Sequence, residues 1–261
     1  MKAFSALIAE SEAILVDMDG CLIAGQQVLP GAAALIEQAA EKFWLVSNNS
    51  SHSADELSRR LGQLGLTIAP QQMLLAGEVV LAEARRCYST QGMMLLARQS
   101  LRTYAASLGI VEDDNQPAVI VLTRDTDLSY QRLSLAIKHL SRGVPLLVAN
   151  PDLSHPDPDG DPVPETGSLL MLFTSILPQL QYRVIGKPEA GLFQMALAKA
   201  HAAPRHSVMI GDNPKTDRDG AEALGIRTFL VGQHPEADAI NLNALLNNPL
   251  SHVRTEALVN S

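Results

Sequence analysis

Asp17 and Asp19 are the residues with most chemical promise. They close the apolar run Ile14-Leu15-Val16 and precede Gly20. Side chains at i and i+2 of an extended chain point the same way, so both acids can face one small volume beyond a strand's C-terminal end. Open α/β sheets bind ligands in that place. Two anions so close repel unless a cation, a proton or a basic side chain joins them. One reading is a carboxylate nucleophile beside a carboxyl that acts as general acid and base. The other is an Asp-Gly turn with both acids solvated, and the spacing by itself leaves both open.

Other stretches could supply what the pair lacks. Gly211-Asp212 again follows an apolar run, Val208-Met209-Ile210, and Asp217 stands where it could cap the next helix. Asp212 with Asp17 and Asp19 would make an all-oxygen site, and hard oxygen donors with open positions suit Mg²⁺. Ser47 and Asn48 end Phe43-Trp44-Leu45-Val46. A hydroxyl and successive backbone N–H groups there could hold phosphate oxygens, or simply turn the chain into a helix. Lys187 is fixed between Gly186 and Pro188. Held over the site, its ammonium would offset nucleophile and phosphate charge; otherwise it is an ordinary surface lysine. His155, in the loop Asp152-Leu153-Ser154-His155-Pro156, reads either as surface or as a substrate contact. The 7 histidines show no zinc spacing, and neither glycine-rich nucleotide fingerprint is present.

Short strands alternating with helices must position these residues. Strands are expected near 13–17, 43–47, 93–97, 118–122, 146–149, 182–185, 208–210 and 228–231. Helices are expected near 31–41, 53–65, 78–88, 99–108, 129–142, 168–177, 191–202 and 217–224, the second opened by the capping box Ser53-Ala54-Asp55-Glu56. Strand–helix alternation at this spacing predicts right-handed βαβ units and a doubly wound parallel sheet, an α/β fold. Residues 150–167, dense in Pro, Asp and Gly, read as a long loop, and 234–261 as a polar, weakly patterned tail.

The 261 residues suffice for one large domain or two smaller ones, and 46% of them are hydrophobic, so a packed core is expected. Net charge is −8, which argues against nonspecific binding to nucleic acid or an anionic membrane, but not against a small anionic substrate. Cys21 and Cys87 give neither a disulfide framework nor a zinc pattern, and fit reduced thiols in the cytoplasm. No signal-peptide pattern follows the short apolar stretch Ala3 to Ala9, and no apolar run reaches the roughly 18 residues of a membrane span.

Taken together, Asp17-Met18-Asp19-Gly20, Ser47-Asn48-Asn49, Lys187 and Gly211-Asp212 with Thr216-Asp217 resemble, in order, the four motifs of the haloacid dehalogenase (HAD) superfamily. The insert between the second and third resembles the cap of subfamily IIA, the branch of NagD-like proteins and of p-nitrophenyl, pyridoxal phosphate and phosphoglycolate phosphatases. Arg124 to Tyr130, Ala149-Asn150-Pro151-Asp152 and Gly167-Ser168-Leu169 also match. The resemblance implies a Rossmann-like core from 1–77 and 181–261, with an α/β cap inserted at 78–180. It implies a Mg²⁺-dependent hydrolase of a small phosphorylated metabolite.

Asp17 would attack and form an aspartyl-phosphate. Asp19 would protonate the leaving oxygen and then activate water. Ser47, Asn48 and Lys187 would hold the phosphoryl group. The metal would be held by Asp17, the Asp19 backbone oxygen and Asp212, with Asp217 in support. His155 falls where some pyridoxal phosphate phosphatases contact substrate. Residues 150–165 would reach the leaving group, hinges would lie near 76–80 and 178–183, and relatives often form homodimers through the cap. Three positions depart from the pattern: Cys21 for threonine, Ser51 for threonine or arginine, and Leu75-Ala76-Gly77 for a Thr-Ser cap entry. Dehalogenase chemistry on the same fold, or a phosphoacceptor domain without turnover, are the alternatives. The acid at 19 favours phosphate over halide.

Overall fold

The computed structural model describes residues 4–156 and 161–247. Its strands are β1 (Ala13–Val16), β2 (Ile23–Ala24), β3 (Gln27–Val28), β4 (Phe43–Ser47), β5 (Met73–Leu75), β6 (Met93–Leu96), β7 (Val119–Leu122), β8 (Leu146–Val148), β9 (Ser154–Pro156), β10 (Pro162–Pro164), β11 (Tyr182–Val184), β12 (Ser207–Gly211) and β13 (Arg227–Leu230). Its helices are α1 (Phe4–Glu10), α2 (Ala32–Ala39), α3 (Ala54–Gln63), α4 (Ala76–Tyr88), α5 (Gln99–Ser107), α6 (Tyr130–Leu140), α7 (Thr166–Ile176), α8 (Ala190–Ala200), α9 (Gly220–Glu222) and α10 (Leu242–Asn247).

Two parallel sheets carry the chain. The first runs β13-β12-β1-β4-β5 and the second β11-β8-β7-β6. β1 is central in the first because Ala13-Ile14-Leu15-Val16 is buried on both faces. Ile14 and Val16 join Phe4, Phe43 and Leu242 on one side; Ala13 and Leu15 join Phe193 and Ala196 of α8 on the other. Each such large apolar side chain contributes about 1.5–3 kcal/mol on burial. The strand therefore tolerates no polar residue until it emerges at Asp17, which explains where the first acid lies.

The apolar cluster behind Leu15 is continuous with the second sheet, through Val80 and Ala84 of α4 to Val121 and Leu147. The sheets thus share packing. Ser53 opens α3 as the capping box predicts: its hydroxyl accepts from Glu56 N at 3.3 Å.

Four expectations need correction. Tyr182–Val184, assigned from sequence to the returning core segment that begins at 181, pairs in parallel with β8 in the second sheet. The chain re-enters the first sheet only after Ile185. Residues 76–80, expected as a hinge, form the first turns of α4, directly after β5. The long loop at 150–167 contains an antiparallel ribbon, β9–β10, with His155 opposite Val163. The polar tail contains α10, whose Leu242 and Leu245 are buried in the first core; beyond 247 the tail lies outside the described residues.

Candidate active site

The candidate residues gather at the C-terminal ends of β1, β4 and β12, joined by Lys187 from the turn after β11. Lys187 is 2% exposed, and its ammonium donates to Asp17 Oδ1 and Asp217 Oδ1, each at 2.6 Å. Asp217, fully buried, accepts through Oδ2 from the backbone N–H groups of Asp212 and Asn213 at 3.1 and 3.0 Å. One acid thereby ties the lysine to the loop that carries Asp212. Asn213 Oδ1 accepts from Lys215 N and Thr216 N, which turns the chain sharply enough to bring Asp217 back under that loop.

Two glycines make room for these carboxylates. Gly20 has φ +77°, and a Cβ there would overlap the Asp212 carboxylate; a Cβ at Gly211 would overlap that of Asp217. Gly20→Ala should therefore displace Asp212. The expected result is a drop in melting temperature together with a large fall in divalent-metal affinity, read by calorimetry.

Ser47 is buried at the end of β4, and its Oγ accepts from Asn49 N at 3.1 Å, which leaves its hydroxyl hydrogen to donate elsewhere. Asn48 behaves differently from a simple phosphate ligand. Its Oδ1 accepts from Lys187 N at 2.8 Å, and its Nδ2 donates to Lys187 O and to Asp152 Oδ2, both at 3.0 Å. The side chain is spent on holding the lysine's backbone. Asn150 Nδ2 donates to Asn48 O at 2.6 Å and Ser50 Oγ at 3.1 Å, and Ser50 pairs with Thr166 at 2.8 Å. The turn after β4 is thus stitched to loops of the second sheet. Asn150 and Asp152 were visible in sequence as an Asn-Pro-Asp after a strand, but not as partners of Asn48.

The electrostatics are unbalanced. Burial raises Asp17 well above the usual carboxylate range; Lys187 opposes this, while Asp217 and Asp212 add to it. Asp212 is pushed up to about 7, by burial first and then by the Asp217 charge. Burial would lower the Lys187 ammonium, but the two aspartates outweigh it and hold it raised. Asp19 is exposed to solvent at the mouth, yet the protein packed around it desolvates and raises its carboxyl, with Lys187 and Arg60 opposing.

One lysine faces three buried or half-buried acids, and Asp17, Asp212 and Asp217 offer carboxylate oxygens within 4.8 Å of one another. Both Asp217 oxygens are already occupied, so the open donors are Asp17 and Asp212. That set fits a small hard dication.

His155 lies on the ribbon of the second sheet, with Nδ1 2.8 Å from Glu165 Oε1. Glu165, which sequence reasoning missed, also sits 3.5 Å from Arg124. Burial pushes its carboxyl up to about 7 from an ordinary 4.5, with Arg124 opposing. The folded chain then holds this proton more tightly than the unfolded chain, so stability falls as pH rises from about 4.5 to about 7. Glu165→Gln should flatten that decline: the melting temperature of the variant relative to the parent should climb between pH 5 and 7.5.

A haloacid dehalogenase-like hydrolase family model matches residues 14–111, and a HAD-hydrolase-like model matches 184–246. Dihydroxyacetone phosphatase of Corynebacterium glutamicum is 31% identical over 229 residues, covering 86% of this chain and 82% of that one. The chain belongs to the haloacid dehalogenase-like hydrolases.

Within that superfamily its likenesses are to subfamily IIA. Chronophin of Rattus norvegicus is 29% identical over 86% of this chain and 77% of its own. The crystal structure of 4-nitrophenylphosphatase from Thermotoga maritima superposes with a TM-score of 0.84 at 26% identity, covering 93% and 98% of the two chains. Glycerol phosphate phosphatase from Mycobacterium tuberculosis, solved in complex with magnesium, gives 0.80 at 25% identity, covering 88% and 70%. The chain is a HAD-type phosphatase with a Rossmann-like α/β core, which sets aside the dehalogenase and phosphoacceptor alternatives. Among the described residues no helix is long and apolar enough to cross a membrane.

Proposed function

We propose that the chain is a Mg²⁺-dependent phosphomonoesterase for small phosphorylated metabolites, working through an aspartyl-phosphate on Asp17. The observation that carries this reading is the buried Asp17–Lys187–Asp217 chain, which fixes one carboxylate at the end of β1 through its Oδ1. In the first half-reaction Asp17 attacks phosphorus, the phosphorus–oxygen ester bond breaks, and Asp19 gives its proton to the leaving oxygen. In the second, Asp19 takes a proton from water, which attacks the same phosphorus and restores Asp17. Burial raises the Asp19 carboxyl, the direction that suits an acid role.

The Ser47 hydroxyl and the Asn48 backbone N–H would bind phosphoryl oxygens, with Lys187 offsetting their charge. Asn48's side chain would act through Lys187, by setting its position. Asp17, the Asp19 backbone oxygen and Asp212 would hold Mg²⁺, which supplies charge neutralisation when bound. Asp217 would support that shell through the N–H groups it fixes. The segment bearing the second sheet would serve as the cap, entered at Leu75-Ala76 and left at Ile185-Gly186, with His155 and its neighbours on the β9–β10 ribbon facing the leaving group. A lid there would exclude water from the phosphoryl group.

The test is a panel of phosphate esters assayed with and without metal. Chelation should abolish turnover, and Mg²⁺ should restore it. Equal turnover in chelator would contradict the reading.

A further inference from the structure

The loop after β8 reaches the site from the second sheet, and the steps above give Asn150 and Asp152 no part. Asp152 Oδ2 accepts from Asn48 Nδ2 at 3.0 Å. Asn150 Nδ2 donates to Asn48 O at 2.6 Å and to Ser50 Oγ at 3.1 Å. Asn150 and Ser50 are buried, so these bonds form away from solvent. One loop thus grips both the backbone and the side chain of Asn48.

The backbone beneath the Asp152 carboxylate is itself held. Asp152 N donates to Asn150 Oδ1 at 3.1 Å, and Asp152 O accepts from Gly167 N at 2.8 Å. A Cβ at Gly167 would overlap the Pro151 and Asp152 carbonyl oxygens. Gly186 N donates to Ala149 O at 2.7 Å, and a Cβ at Gly186 would overlap both Ala149 O and Asn48 Oδ1. The turn before Lys187, the turn after β8 and the Asn48 amide therefore meet with no room for another carbon.

The contact has a direction. Asn48 must turn Oδ1 to Lys187 N and Nδ2 to Lys187 O, at 2.8 and 3.0 Å. A carboxylate only accepts, so Asp152 admits the Nδ2 end and rejects Oδ1. Burial raises the Asp152 carboxyl, and the Asn48 hydrogen bond opposes this, as a bond to the ionised form should. The last torsion of an asparagine is otherwise broad. Three partners on one amide leave a single orientation. That orientation fixes the backbone from which the Lys187 ammonium reaches Asp17 and Asp217.

We propose that Asp152 is a positioning residue: through its contact with Asn48, the segment bearing the second sheet sets Lys187 for phosphoryl transfer. Asp152 touches neither phosphorus nor the leaving group. Its effect falls on kcat and is the same for every leaving group. Misplacing a group in the site by about 1 Å can cost on the order of a hundredfold in rate. This role rests on the phosphatase reading above and adds a residue to it.

The full-length protein with Mg²⁺ tests it on two esters of unlike leaving group, p-nitrophenyl phosphate and glycerol 3-phosphate. Asp152→Ala should lower kcat about tenfold or more on both, with KM changed less than about twofold. Asp152→Asn should recover most of the loss, because its carbonyl oxygen can still accept from Asn48 Nδ2. Asn48→Ala removes the link, so adding Asp152→Ala to it should cost less than about twofold more. Melting curves check the fold, and Asp152→Ser stands in if the alanine variant does not fold. Unchanged kcat in a folded variant, losses that add to those of Asn48→Ala, no rescue by asparagine, or a loss confined to KM or to one ester would each overturn the positioning role and leave the phosphatase reading intact. Failure of the parent to hydrolyse any phosphate ester would strike the phosphatase reading, and this role with it.

Discussion

Asp17→Asn should lower kcat by about four orders of magnitude or more on every phosphate ester, with the fold intact. The size follows from the role: removing a nucleophile removes the covalent route, and what remains is binding and electrostatics. Asparagine keeps the shape and can still meet Lys187, so packing at the end of β1 should survive. The amide cannot attack phosphorus, and it is a poorer metal ligand than a carboxylate. Circular dichroism and melting curves should therefore match the parent closely while turnover vanishes. A variant that kept more than about one percent of kcat would mean that another group attacks phosphorus.

The second large effect is on stability. Lys187→Met keeps the length of the side chain and deletes the charge that joins Asp17 to Asp217, at 2.6 Å from each. Breaking a buried pair from one side leaves uncompensated charge and typically costs about 3–5 kcal/mol. Here two acids are orphaned, one of them fully buried. The variant should melt well below the parent and lose activity. Adding Asp217→Asn should recover part of the stability, because it removes one of the two stranded acids, without recovering turnover. If Lys187→Met melted like the parent, the ion-paired account of the site would be wrong.

Asp17, Ser47 and Asp212 were legible in sequence for a physical reason. A strand buried on both faces must be apolar throughout, so β1, β4 and β12 stand out, and the first polar residue after each marks the sheet's C-terminal edge. Asp17, Ser47 and Asp212 are those residues or their neighbours. Tyr182–Val184 showed as a strand, but nothing local says which of two sheets it joins; that is decided by pairing with β8. The β9–β10 ribbon was hidden because three of its six residues are proline, which lacks the N–H of a regular ladder.

Roles that depend on direction were also hidden. Asn48 was found by position, but only the structure shows its amide turned toward the Lys187 backbone. Glu165 carries no local signal, since surface acids are common. It acquires meaning only when the fold sets it beside Arg124 and His155.

Covalent trapping tests the central claim most directly. The protein is mixed with Mg²⁺ and a turned-over ester, quenched during steady state, treated with borohydride and digested for peptide mass spectrometry. Borohydride reduces an acyl phosphate to an alcohol, so the account predicts homoserine at position 17 in the peptide that contains Met18 and Asp19, and none in the Asp17→Asn variant. Unmodified Asp17 with the label on Asp19, on Asp212 or on no residue, in a sample that is turning over substrate, would contradict it.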